Sequence, residues 1–97
     1  MATKKMILDL DTGVDDALAL AYAIADPNID LIGVVASYGN NLLEQTAKNS
    51  LQLLELLGQD VPVFKGLSHS STTDHFTVMQ VSKEIHGNNG IGDISLP

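Results

Sequence analysis

Cysteine and tryptophan are both missing from the 97 residues, and only four side chains are aromatic. Without cysteine there are no disulfides, no thiolate metal sites and no cysteine nucleophile, which suits a reducing compartment. With Tyr22, Tyr38, Phe64 and Phe76 as the whole aromatic complement, a core has to be built from Leu, Ile, Val and Ala. Basic residues are scarce as well, five against twelve acidic ones, for a formal charge of −7. So acidic a chain lacks the basic surface that a nucleic-acid backbone requires, and its charge suits a cation. Long apolar runs are absent too. The longest, Ala17 to Ala25, is nine residues, against the roughly 20 needed to span a bilayer as a helix. Asp9 and Asp11 interrupt the segment from Met1 before it can form the apolar centre of a signal peptide. The expectation is a soluble, cytoplasmic protein with neither membrane nor nucleic acid as partner.

What is present alternates between two kinds of apolar pattern. Lys5 to Leu8 is a short apolar run ending in acids, as in a buried strand, and Asp15 to Asp26 reads as an Ala/Leu helix stopped by Pro27. Asp30 to Ser37 is β-branched and continuous, and Gly39 and Asn40 break it. Leu43, Ala47, Leu51, Leu54 and Leu57 recur at spacings of three or four, predicting a helix from Leu42 to Leu57 with one apolar face and Gly58 as its C-terminal cap. Val61 to Phe64 is a third short strand. This β-α-β-α-β order predicts an α/β fold with a Rossmann-like parallel sheet, its first two strands central. Beyond it, Ser68 to Asp74 reads as a polar loop, Thr77 to Ile85 as a short helix, and Gly87 to Gly92, with three glycines and two asparagines, as a mobile segment. Three strands are few for an open sheet, so residues 1–97 read as the amino-terminal part of a larger single domain.

The chemistry concentrates in Asp9-Leu10-Asp11-Thr12-Gly13-Val14-Asp15-Asp16-Ala17, with four carboxylates in eight residues where the first strand ends and the first helix begins. Ligands bind at that end of parallel α/β sheets. Gly13 permits a tight turn that lets Asp11 converge with Asp15 and Asp16. Like charges so close raise one another's pKa values, and a hard divalent cation with six to eight oxygen ligands relieves the conflict. Capping and the helix dipole offer a plainer account of Asp15 and Asp16, but not of Asp9 and Asp11 on an apolar strand. Both accounts stand on spacing alone.

The segment resembles the amino-terminal signature of inosine-uridine nucleoside hydrolases, D-x-D-x-G-x-D-D-A, matched at Asp9, Asp11, Gly13, Asp15, Asp16 and Ala17. Tyr38-Gly39-Asn40 and His86-Gly87-Asn88-Asn89-Gly90-Ile91-Gly92, similar to the family's HGxxGxG loop, follow in order. The resemblance implies hydrolysis of the N-glycosidic bond of ribonucleosides, with calcium (Ca2+) as cofactor and, for the whole family domain, a homo-oligomer; the alternative is a truncated, non-catalytic fragment that at most binds calcium. It implies that Asp11 and Asp16 ligate calcium and that Asp11 also accepts a proton from the attacking water. Asp15 would bond a ribose hydroxyl, Asn40 would help place the water or ribose, and Asp9 would orient the others. His86 would contact substrate through a loop able to close as a lid; a surface loop without a ligand is the alternative, as a plain turn is for Asn40. Thr12, where the family often has proline, and Asn89, where it often has an acid or serine, depart from the pattern.

Other signals are weaker. Ser70, His69 and Asp74 hold the letters of a hydrolase triad, but on one loop, and a triad is a matter of spatial geometry. His69 and His75 have no closely spaced partner for a metal. A haloacid-dehalogenase-like phosphatase shares the D-x-D pair, although Thr12-Gly13 reverses its usual order. An EF-hand is excluded, since the twelfth position counted from Asp9 is Leu20 rather than a glutamate.

Overall fold

The computed structural model describes residues 3–94; Met1, Ala2 and residues 95–97, with the terminal Pro97, lie outside them. Strand β1 (Lys4–Leu10) leads through helix α1 (Val14–Ala25) to β2 (Ile29–Ala36), then through α2 (Leu43–Leu56) to β3 (Val63–Lys65), and α3 (Gln80–His86) follows. The three strands form one parallel sheet in the order β1-β2-β3. The expected α/β architecture is present, with element bounds displaced by one to three residues from those read in the sequence. Among the described residues no helix is long and apolar enough to cross a membrane.

Local chemistry sets where each element stops. After Ala25 the chain turns extended at Asp26, whose carboxylate accepts the Asn28 N–H at 2.8 Å, and Pro27 between them cannot continue a helix. Helix α2 ends as expected, with Gly58 at φ 71° and the Gln59 N–H returning to the Leu54 carbonyl at 2.9 Å. Strand β3 is shorter than expected and starts later, because Pro62 has no N–H to give; its carbonyl still accepts the Val34 N–H at 3.0 Å.

Two successive crossovers that step the same way along the sheet put α1 and α2 on the same face. There Leu20 of α1 and Leu53 and Leu54 of α2 close over Leu10 and Val34, with Leu8 and Val63 at the margin. The opposite face carries Ile7, Ile32 and Phe64, all exposed. The expectation that the first two strands are central therefore holds only for β2, since β1 lies at an edge of this sheet. A register shift between Met6 and Ile7 passes over Ile32 and brings Ile7 opposite Gly33.

The buried face of α2 also differs from the one the leucines suggested. Leu43, Ala47 and Leu54 are buried as expected, but Leu51 is 56% exposed, and Thr46, Asn49 and Ser50 are fully buried in its stead. The helix is rotated so that these polar side chains reach backbone and hydroxyl partners at the carboxyl ends of the strands. Leu54→Ala should accordingly cost about 2–5 kcal/mol in urea unfolding, and Leu51→Ala no more than about 0.5 kcal/mol. Equal losses from the two would contradict this orientation of the helix.

Candidate functional site

At the carboxyl end of the sheet the chain makes two adjacent turns, one after β1 and one after β2. Asp11 stands in the first and Asn40 in the second. The Asn40 backbone N–H donates to Asp11 Oδ2 at 3.1 Å, and its side-chain amide reaches the Asp11 carbonyl at 3.4 Å. Gly39 lies so close that any Cβ there would collide with the Asp11 carboxylate. One oxygen of Asp11 is thus fixed by the second turn.

Asp16, in the first turn of α1, faces Asp11. Burial, the nearby Asp11 carboxyl and then the charge of Asp15 push its pKa from 3.8 up to about 7, while the Gly13 backbone amide opposes the shift. Its Oδ2 is buried and has no hydrogen-bond partner. Two ionised carboxylates can only accept, so a proton shared with Asp11 or a cation would satisfy that oxygen. Asp15 is exposed beside them.

Gly13 joins these parts. Its φ of −115° is open to any residue, so the glycine is required by space and not by the turn geometry that the sequence suggested. A Cβ there would lie 2.6 Å from His86 Nδ1 and 2.8 Å from the side-chain nitrogen of Asn40. His86 is buried, and its Nδ1 accepts the Val14 N–H at 3.0 Å.

Of the residues singled out in the sequence, the structure brings Asp11, Asp16, Asn40 and His86 together around Gly13, with Asp15 at the rim. Asp9 is apart from them. It is exposed, and its carboxylate accepts from the Ser37 hydroxyl at the end of β2. Side chains alternate along a strand, so Asp9 points away from the Leu8 and Leu10 face.

Residues that the sequence reading missed hold the site from behind. Asn49, fully buried on α2, donates its amide to the Thr12 carbonyl at 3.3 Å and the Asn89 carbonyl at 2.7 Å, and accepts from Gln45. Thr12 Oγ1 meets Ser50 Oγ at 2.6 Å, and the Asn41 amide donates to the Asn88 carbonyl at 2.8 Å. The glycine-rich segment expected to be mobile is therefore pinned to α2 and to the turn after β2, with Asn49 bridging it to Thr12. Asn89, the departure from the family pattern, serves that segment itself, its Oδ1 accepting the N–H groups of Ile91 and Asp93. The signal that could have revealed this was a polar stripe, Thr46, Asn49 and Ser50, at helical spacing beside Leu43 and Ala47.

The facing carboxylates of Asp11 and Asp16 offer oxygens, which fits a hard cation in kind. They fall short of one in number: among the described residues no three His, Asp or Glu side chains are grouped so as to hold a metal ion alone. The loop letters of a triad do not converge either. The Ser70 hydroxyl bonds Thr72 and Thr73, His69 Nδ1 meets the Ser70 carbonyl, and Asp74 pairs with the exposed His75.

Residues 6–97 match the family model described as inosine-uridine preferring nucleoside hydrolase. The fold superposes on a solved purine-preferring ribonucleoside hydrolase from Gardnerella vaginalis with a TM-score of 0.94 and 56% identity, covering 97% of this chain and 30% of that one. A Corynebacterium ammoniagenes protein from the ribF 3′ region is 56% identical over 93 residues, 95% of this chain and 97% of that one. Uridine nucleosidase 1 of Arabidopsis thaliana is 37% identical over 95 residues, 97% of this chain but 27% of that one. The chain thus spans less than a third of the hydrolases it matches and nearly all of the Corynebacterium protein. With the match running through the acidic turn and both glycine-bearing loops, the chain belongs to the inosine-uridine preferring nucleoside hydrolase family.

Proposed function

We propose that this chain carries the cation- and ribose-binding turn of a ribonucleoside hydrolase, which cleaves the N-glycosidic bond to free base and ribose. It corresponds on this reading to the amino-terminal part of such a domain, homo-oligomeric and cytoplasmic, with a role in purine and pyrimidine salvage. The observation that carries the proposal is the buried, partnerless Oδ2 of Asp16 facing Asp11 at the carboxyl end of a parallel sheet. A buried carboxylate oxygen in that position is costly unless a proton or a cation meets it.

Asp11 and Asp16 would hold calcium. When bound, the ion lowers the pKa of a coordinated water and anchors sugar hydroxyls. Asp11 Oδ2 accepts the Asn40 N–H, which holds the carboxylate in place to take a proton from water as general base. Asp15, exposed at the rim, is placed to accept from a ribose hydroxyl. Asn40 holds Asp11 in orientation through its backbone and packs its amide against Gly13. Of the His86 ring nitrogens only Nε2 is left to face a substrate, since Nδ1 is engaged by Val14. Leaving-base recognition and further metal donors have to come from outside these residues.

The raised pKa of Asp16 gives the proposal a pH signature. The folded state holds this proton more tightly than the unfolded chain does. The contribution of Asp16 to stability in the absence of metal is therefore fully present below about pH 4 and is lost as pH rises to about 7. Calcium must displace the same proton, so its stabilisation of the fold should be largest above pH 7 and fade towards pH 4. Thermal melts with and without calcium check this. Asp16→Asn should remove both the slope and most of the calcium effect; an unchanged calcium effect in that variant would put the ion elsewhere.

Catalysis is tested by release of ribose from inosine and from uridine. Any release by this chain should depend on calcium and fall about a hundredfold or more with Asp11→Asn. Release indifferent to calcium and to Asp11→Asn would overturn the assignment. Calcium binding without release would confine this chain to the cation-binding part of the reaction.

A further inference from the structure

Helix α1 starts without the usual help. Its N-cap is Gly13, which has no side chain to accept a first-turn N–H. The Val14 N–H is satisfied instead from 72 residues away, by Nδ1 of His86 at 3.0 Å. His86 closes α3, is 9% exposed, and begins the glycine-rich segment whose carbonyls are held by Asn41 and Asn49. The ring is consequently fixed from its own side, and the start of α1 is the part it constrains.

Two side chains close on Gly13: the His86 ring covers it at a distance that leaves no room for a Cβ while its Nδ1 accepts the Val14 N–H, and the Asn40 amide packs at the same point. Turning the Gly13–Val14 peptide would shift the first turn of α1, and with it Asp16 relative to Asp11, which the second turn holds independently. Because Nδ1 accepts a hydrogen bond, the neutral ring must carry its proton on Nε2.

We infer that His86 is a positioning residue. It acts as the acceptor of the first N–H of α1, locked in the Nε2–H tautomer, and sets the distance between the Asp16 and Asp11 carboxylates. The consequence for cation binding rests on the function proposed above; the capping role itself does not.

The test compares His86→Asn, whose Oδ1 falls near the place of Nδ1, with His86→Gln and His86→Ala, which leave that place without an acceptor. Hydrogen exchange of the Val14 amide, followed by NMR in metal-free protein, should quicken about fivefold or more in the Gln and Ala variants and return towards the original rate in the Asn variant. Calcium affinity should fall about tenfold or more in Gln and Ala and be rescued by Asn. In the unsubstituted chain, nitrogen-15 shifts of the His86 ring should show a bare Nδ1 and a protonated Nε2, a reading that needs no variant to fold. A protonated Nδ1, or Val14 exchange indifferent to all three substitutions, would overturn the inference. Val14 exchange that follows the pattern while no form of the protein binds calcium would uphold the capping role and count against the cation site alone.

Discussion

Two carboxylates, Asp11 and Asp16, are held face to face by parts of the chain that cannot easily give way. Asp11 is tied to the turn after β2, and Asp16 rides on a helix whose start is covered by His86. Left to itself, such a pair would separate into solvent, where each charge is hydrated. The fold prevents that by burying Asp16 enough to raise its pKa to about 7 and to leave one oxygen without a partner. Much of the remaining polar structure follows from keeping this arrangement in place. Buried Asn49, Ser50 and Thr46 on α2 bond the carbonyls and hydroxyls behind it, where a leucine stripe would have packed the helix more simply.

The scaffold is economical for the same reason. Both helices cover one sheet face, and the exposed Ile7, Ile32 and Phe64 occupy the other. The apolar cluster around Leu20, Val34 and Leu54 fixes where the strands end. The two turns at those ends then need only short reaches to meet. Gly13 is the junction, and its lack of a side chain admits the His86 ring and the Asn40 amide together.

The strand and helix order was legible because apolar period and breakers agreed at Pro27, Gly39 and Gly58, each with a local physical cause. The acidic turn was legible for a similar reason, since carboxylates at the end of an apolar strand have no comfortable plain explanation. Long-range polar pairing was not legible. Nothing near Asn49 in the chain announces that its amide will meet Thr12 and Asn89, and nothing near His86 announces Val14. The sheet's bare face was equally hidden, because a continuous apolar strand looks the same whether one face or both are covered. Strand alternation sends Asp9 towards Ser37, a placement that its membership of the motif does not convey.

On the proposed function, the Asp11–Asp16 conflict is relieved by a proton in the absence of metal and by calcium in its presence. Calorimetric titration of calcium into the protein, repeated in buffers of different ionisation enthalpy, measures that exchange directly. With Asp16 titrating at about 7, about half a proton should be released per calcium bound at pH 7, declining towards none by about pH 9. Calcium binding whose heat is the same in every buffer at pH 7, and so releases no proton, would contradict the account.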